Sequence, residues 1–199
     1  MIYTKLELVN EVLSVVGLLR LSAQDDLHPD YTEASETLDR VNKRVQARGL
    51  WFNRSYPTLI QTIAGEVIIP SNAISVDPVN AADNNIVVRG GKLYDKQSRS
   101  TVIGKDVQVR LVELIDIEDL PPTAQMFVLA AARLQFHSDK DGEQAKKADL
   151  DKEYARAYAE FHSDLLDHED LNILESEAML QFKYSPSTRA GFSLRHGSS

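Results

Sequence analysis

The apolar residues of this chain change their spacing twice, and the change sets the order of its structural elements. In the first fifty residues, and again after residue 120, apolar side chains recur every three or four positions, which indicates amphipathic helices. Between Asn53 and Glu118, short runs of Val, Ile and Thr lie between Pro, Gly and Asn residues, which is typical of strands and turns. The sequence therefore predicts two helices, a β region, two more helices and a polar C-terminal segment.

Local signals mark the ends of the first two helices. Thr4 and Glu7 match the capping-box pattern, and Gly17 suits the left-handed position at which a helix ends. The second helix is expected to begin at Pro29, because proline is tolerated in the first turn, and to end at Gly49.

Two further helices are predicted after the β region, and a pair of prolines marks the start of the first of them. The third is expected to begin at Pro121-Pro122 and to end near His137, and the fourth to run from Glu143 to about Glu175. Because helices adjacent in sequence usually pack together, we expect a discontinuous four-helix bundle built from residues 1–52 and 120–175.

The middle of the chain, residues 53–119, is predicted to form a small inserted antiparallel β domain, so the fold class is α+β. Gly90-Gly91 supplies both positive-φ positions of a type I′ turn and predicts a hairpin over Ile86–Asp95. Alternating apolar residues predict a strand over Val107–Leu114. The other predicted strands are Thr58–Thr62, Glu66–Ile69 and Ile74–Val76.

Residues 176–199 are polar and are expected to form an extended C-terminal tail. Phe182, Tyr184 and Phe192 are large apolar side chains within it. A polar segment with scattered aromatic residues is suited to ordering against a partner, so these three residues are candidate interface residues.

Composition narrows the classes of function. The formal net charge is −8, which disfavours tight binding of free nucleic acid, because such binding needs clustered Lys and Arg. There is no cysteine, which excludes disulfides and thiolate metal sites and suits a protein made in a reducing cytosol. Neither a signal peptide nor an apolar run long enough to span a membrane is found, so no membrane partner is expected.

No motif in the chain predicts catalysis, a cofactor or a metal. Asp164, Asp167 and His168 lie close in sequence, but a solvated helix end is the favoured interpretation over a divalent-metal site. Phosphate-binding glycine loops, nucleophile elbows and zinc-ligand spacings are not found. The protein is therefore predicted not to be an enzyme, with no catalytic, cofactor-binding or metal-ligating residue.

Two features next to Gly49 are candidates for protein contacts. Arg40, Arg44 and Arg48, with Lys43, form a basic stripe on the second helix. A solvated helix face or a salt-bridging subunit contact is favoured over a nucleic-acid site, because exposed aromatic residues do not alternate with these cations.

Trp51 and Phe52 follow directly after the second helix. They are interpreted either as a core anchor between the helices and the β region or as an intersubunit contact.

Several segments, taken in order, resemble the tail tubular protein A family, the head-to-tail adaptors or gatekeepers of short-tailed bacteriophages. The resemblance covers roughly residues 5–175 and depends on the order and spacing of the segments, since no single one is a catalytic signature. The segments are Leu38–Asn53, Val87–Ser98, Val109–Val112, Asp116–Pro121 and Ala131–Phe136.

The resemblance implies a homo-oligomeric ring, typically a dodecamer, in the tail of a virion assembled in the host cytoplasm. Such a ring joins the portal protein of the capsid to the tail nozzle protein, helps to hold tail fibres, and lets genomic DNA pass through its lumen without specific binding. The alternative function is a tail-associated glycan hydrolase that acts on host surface polysaccharide. The full set of candidate interface residues is Arg40, Arg44, Arg48, Trp51, Phe52, Phe182, Tyr184 and Phe192.

Overall fold

Helices occupy both ends of the described chain, and short antiparallel strands occupy its middle. The computed structural model describes residues 3–22, 29–140 and 143–175, with side chains to residue 168. The helices are α1 (Lys5–Ser14), α2 (Pro29–Gln46), α3 (Pro122–Asp139) and α4 (Gln144–Glu175). The strands are β1 (Arg54–Ser55), β2 (Thr58–Leu59), β3 (Ala73–Pro78), β4 (Ile86–Arg89), β5 (Lys92–Asp95) and β6 (Val107–Glu113). The mixed α+β class is therefore confirmed.

The four helices share one apolar cluster, which we call the helical core. α3 packs against α1, α2 and α4, and α1 also packs against α2. The largest fully buried side chains of this core are Tyr31, Phe136 and Phe161, which come from α2, α3 and α4. Residues from both ends of the sequence therefore bury their apolar faces together, as their helical spacing predicts.

The predicted cap of the first helix is confirmed. The Thr4 hydroxyl accepts a hydrogen bond from the Glu7 N–H, and the Glu7 carboxylate accepts one from the Thr4 N–H. These bonds satisfy backbone groups that a helix N-terminus leaves without partners. The bonds to Thr4 also lower the pKa of Glu7 below its ordinary value.

β6 is the central strand of the larger sheet. β1 and β2 pair with one edge of it in a single continuous register, and β3 pairs with the other edge, all antiparallel. β4 and β5 form a separate hairpin whose Gly90 and Gly91 have φ of 59° and 75°, so the predicted two-glycine turn is confirmed. A second apolar cluster, the β core, lies between these strands and centres on Leu93, Val107 and Val109.

Two predicted strands differ from the observed ones. Thr58–Thr62 pairs regularly only at Thr58–Leu59. Glu66–Ile69 is wrong as a regular strand, because its residues bridge to different neighbours: Glu66 to Val102, Val67 to Gln61, and Ile68 to Lys92. Consecutive residues that pair with separate segments cannot build a ladder.

Candidate interaction surface

The end of α2 meets the β region at a close backbone approach. Gly49 has a φ of 70°, and a Cβ atom there would lie 2.6 Å from Arg110 Nη2 and 2.8 Å from Val112 Cγ2. Both the backbone conformation and the lack of space on β6 therefore require glycine at this position. The turn carries the chain from α2 to Trp51 and Phe52.

A buried set of amide side chains, which we call the polar joint, fixes the position of α2 against the exit of β6. The Gln46 side chain accepts a hydrogen bond from Ile115 N (2.8 Å) and donates one to Ile115 O (2.7 Å). Asn42 and Gln46 also bond to each other at 2.8 Å. Asn53 donates to the Gln46 and Glu113 carbonyls at 3.0 and 2.9 Å. Buried amides with satisfied partners set one relative orientation of the two regions.

The polar joint is not among the features predicted from the sequence, although the sequence carries a signal for it. Asn42 and Gln46 are four residues apart on the helix and follow the apolar positions Leu38, Val41 and Val45 around the same face. Polar residues on a buried helix face need hydrogen-bond partners, and amide side chains can bond to both a backbone N–H and a C=O.

Trp51 and Phe52 lie against the helical region, both half-buried. The Trp51 ring stacks on His168 of α4, with ring centroids 3.7 Å apart, and meets Phe52 edge-on at 5.4 Å. Its indole Nε1 is buried, with no hydrogen-bond partner among the residues that the structure describes. The stack joins the exit of α2 to the distal part of α4.

Asp164 and His168, the carboxylate and imidazole that lie close in sequence, both have hydrogen-bond contacts in the folded chain. Asp164 accepts a hydrogen bond from the Thr123 hydroxyl at 2.5 Å, and its backbone carbonyl lies 2.8 Å from His168 Nδ1. Within the described part of the chain, His, Asp and Glu side chains do not form a group of three or more that could hold a metal ion.

The basic stripe of α2 is exposed and has no acidic partner in the described residues. Arg40 donates to the Thr37 hydroxyl, and Arg44 donates to Gln135 Oε1 at 3.1 Å, so both bonds go to neutral groups. Among the described residues, the ion pairs made by lysine and arginine do not include Arg40, Lys43, Arg44 or Arg48. Arg40, Arg44 and Arg48 thus form a cationic surface on a protein whose net charge is −8.

A groove of about 390 Å³ opens beside this surface, where α2, α3 and α4 meet; we call it the arginine groove. Arg44 and Arg48 stand at its rim on the α2 side, and Tyr154 of α4 lines the other side. Most of its remaining lining is apolar: Val41, Val45, Phe127, Ala131 and Leu134, with Gln135 and Ser138. An apolar floor with a cationic rim is suited to an apolar segment that carries carboxylates.

A second cavity, of about 480 Å³, is lined by Asp39, Asp116 and Glu118, and carboxylates are the groups that glycan hydrolysis uses. Two of these carboxylates have structural partners. Asp39 pairs with Lys5 Nζ at 2.8 Å, and Glu118 accepts a hydrogen bond from the Lys5 N–H at 2.5 Å. A helix N-terminus held by a carboxylate is a common structural contact, so nothing here favours glycan hydrolysis.

The remaining candidate interface residues, Phe182, Tyr184 and Phe192, lie outside the described residues. Within the described ranges, every helix is too short or too polar to cross a membrane.

Comparison with known proteins gives the chain a family. The profile of the family described as "Tail tubular protein" matches residues 6–170, which include α2, α3, the whole β region and most of α1 and α4. The chain is also 26% identical over 152 residues to "Tail tubular protein A" of Klebsiella phage KP34, an alignment that covers 76% of this chain and 81% of that protein. The chain therefore belongs to the tail tubular protein family and is a structural component of a bacteriophage tail.

Proposed function

We propose that this protein is the adaptor of a short-tailed phage: a homo-oligomeric ring, typically a dodecamer, between the capsid portal and the tail nozzle. The family match is the observation that carries the proposal, because it extends through the helical and the β region alike. The ring also holds tail fibres and becomes part of the virion tail after assembly in the host cytoplasm. Its lumen is part of the channel through which the genome is ejected.

The proposed organisation is a discontinuous four-helix bundle of residues 1–52 and 120–175, a β domain of residues 53–119, and a tail of residues 176–199. The separation of the helical core from the β core supports the first two parts. The polar joint supports a fixed arrangement between them, because Gln46 and Asn53, where the chain enters the insertion, bond to the backbone of Ile115 and Glu113, near where it leaves.

The proposed contact surface on the body of the protein includes Arg40, Arg44, Arg48, Trp51 and Phe52. The three arginines supply exposed cationic groups without acidic partners in the described residues. Trp51 and Phe52 supply half-buried aromatic groups at the adjoining turn. In the tail, Phe182, Tyr184 and Phe192 are proposed to order against the portal or nozzle ring.

Genomic DNA is proposed to pass through the ring without specific binding. A chain of net charge −8 repels the phosphate backbone wherever its acidic groups face the lumen. The adaptor role requires no chemical step, and the bonds of Asp39 and Glu118 support a non-enzymatic function.

The proposal is tested by measuring the assembly of the full-length protein, alone and mixed with the portal protein of the same phage. Light scattering should give the mass of a closed oligomer, and negative-stain images should show rings, free or attached to the portal. A compact monomer that does not bind the portal would refute the adaptor role.

A further inference from the structure

The arginine groove has the shape and the charge of a site for a helical segment. α3 forms its floor, and α2 and α4 lie on either side. Of its lining, Val41, Val45 and Phe127 are buried, and Ala131, Leu134 and Tyr154 are half-buried. An apolar segment laid along α3 would cover these half-buried side chains, which is the helix-in-groove mode of recognition.

The rim of the groove carries groups that favour carboxylates. Arg44 and Arg48 are exposed there, and among the described residues their guanidinium groups make one hydrogen bond, from Arg44 to the neutral Gln135. Guanidinium groups form strong paired hydrogen bonds with carboxylates, so an acidic segment would satisfy donors that are otherwise left to water.

The distal end of α4 has the matching composition. Between Arg156 and Lys183 the sequence contains no lysine or arginine, and residues 167–175 include four carboxylates and three large aliphatic residues. These are Asp167, Glu169, Asp170 and Glu175, with Leu171, Ile173 and Leu174. The backbone of this stretch is helical as far as Glu175.

This helix end cannot enter the groove of its own chain. Tyr154 of the same unbroken helix lines the groove, and Glu175 lies about 30 Å further along the helix axis at 1.5 Å per residue. The stack of His168 on Trp51 also fixes the course of α4 before its last residues. A helix end of this composition can therefore fill the groove only of a second copy.

We propose that the acidic distal end of α4, residues 167–175, docks in the arginine groove of the neighbouring copy. This inference rests on the proposed ring and names one contact that would hold it together. The contact is heterologous, because a helix end of one copy meets a groove of the next. Each copy carries both halves, so the contact repeats around a ring when the rotation between copies closes.

A charge exchange tests the docking directly. One variant carries Arg44→Glu and Arg48→Glu, and the other carries Glu169→Lys and Asp170→Lys. Each variant alone presents like charges at every contact, and its assembly should weaken by roughly tenfold or more. An equimolar mixture should regain assembly, because each acidic groove then meets a basic helix end and each basic groove meets an acidic one.

The matched control for the arginine variant carries Lys96→Glu and Lys147→Glu, which makes the same change in net charge at exposed or half-exposed sites outside the groove. This control should assemble like the natural protein. Circular dichroism of each variant confirms folding before its assembly is measured.

Cross-linking identifies the contact itself, because the chain has no natural cysteine. Arg48→Cys and Leu171→Cys are made in separate proteins, which are then mixed and oxidised. A disulfide between the two proteins is expected, while Lys96→Cys in place of Arg48→Cys should give none.

These outcomes distinguish a failure of the docking proposal from a failure of the proposed ring. If the natural protein forms rings, each charge variant on its own also assembles normally and no cross-link appears, then the docking is wrong and the ring is unaffected. Retention of duplex DNA that is lost in the arginine variant, with assembly unchanged, would assign the groove to nucleic acid instead. If the natural protein assembles neither alone nor on the portal, the proposed function and the docking fail together.

Discussion

The helical region and the β region bury their apolar side chains to different degrees. Tyr31, Phe136 and Phe161 are fully buried in the helical core, which gathers residues from both ends of the sequence. The β core is smaller and made mostly of valine, isoleucine and leucine. Around it, Ile60 is 75% exposed, and Ile63, in the turn before Gly65, is completely exposed.

This difference indicates separate roles for the two regions. A core of large side chains supplies most of the burial free energy, so the helical region can hold a fixed frame. Exposed aliphatic groups on a tight turn gain little from folding and are typical of surfaces that meet a partner. The polar joint connects the two regions.

The largest expected effect comes from the helical core. Phe136→Ala removes a fully buried ring and should lower the free energy of unfolding by about 3–5 kcal/mol, since the cavity cannot close completely. Urea unfolding followed by circular dichroism measures the loss. Leu19→Ala is the matched control, because that side chain is 87% exposed and its removal should change little.

The equivalent change in the β core sharpens the comparison. Leu93→Ala also empties a fully buried site, and it should destabilise the β region while the helical signal persists to higher urea concentration than in Phe136→Ala. Simultaneous loss of both regions in Leu93→Ala would show that the two cores unfold as one unit.

The next largest effect is expected at the turn between the regions. Gly49→Ala combines backbone strain of about 1–2 kcal/mol with the two close contacts on β6, so a total loss of about 2–4 kcal/mol is expected. Gly91→Ala is the control, because φ is also positive there but nothing lies within 4 Å of the added carbon. Equal thermal unfolding midpoints for the two variants would mean that α2 can move away from β6 without cost.

A smaller effect is expected from the polar joint. Gln46→Leu keeps the volume roughly constant but removes the bonds to Ile115 N and O, at a cost of about 1–3 kcal/mol. Fluorescence of Trp51, the one tryptophan of the chain, reports on the same turn during unfolding. Gln108→Leu, at an exposed position on β6, is the control and should leave the transition unchanged.

Local signals in the sequence predicted the elements whose determinants lie within a few residues. The Thr4 cap and the Gly90-Gly91 hairpin are examples, because each depends on contacts between sequence neighbours. The predicted strand Val107–Leu114 ends only one residue beyond the observed β6. The prediction is close because Val109 and Leu111 are buried on alternate positions, and this alternation is visible in the sequence.

Features that depend on distant partners were not predictable in the same way. Arg54–Ser55 lacks strand-forming residues and becomes β1 because β6 offers it a partner strand. The arginine stripe was visible as a pattern, but the groove beside it requires Phe127 and Tyr154 from two other helices. The stack of Trp51 on His168 likewise joins residues more than a hundred positions apart.

The smallest effect is an acid dependence specific to the β region. Glu66 accepts hydrogen bonds from Lys92 Nζ at 2.6 Å and from the Thr101 hydroxyl at 2.9 Å. The bond from Lys92, followed by that from Thr101, lowers the pKa of Glu66 below its ordinary value of 4.5. A carboxylate whose pKa is lower in the folded protein stabilises it above the ordinary value, and this contribution is lost as the pH falls through the folded pKa.

The natural protein should therefore lose stability in the β region as the pH is lowered below the ordinary value of 4.5, and Glu66→Gln should reduce this dependence. Urea midpoints measured from neutral pH into the acid range provide the comparison.

The lowered pKa of Asp95, caused first by the Gln97 N–H and then by the Ser98 hydroxyl, leaves part of the acid effect in place. Glu7 contributes an acid effect to α1 in both proteins, so the helical signal should change equally in each. An identical pH profile of the β region in the two proteins would show that the bonds to Glu66 contribute nothing to its acid dependence.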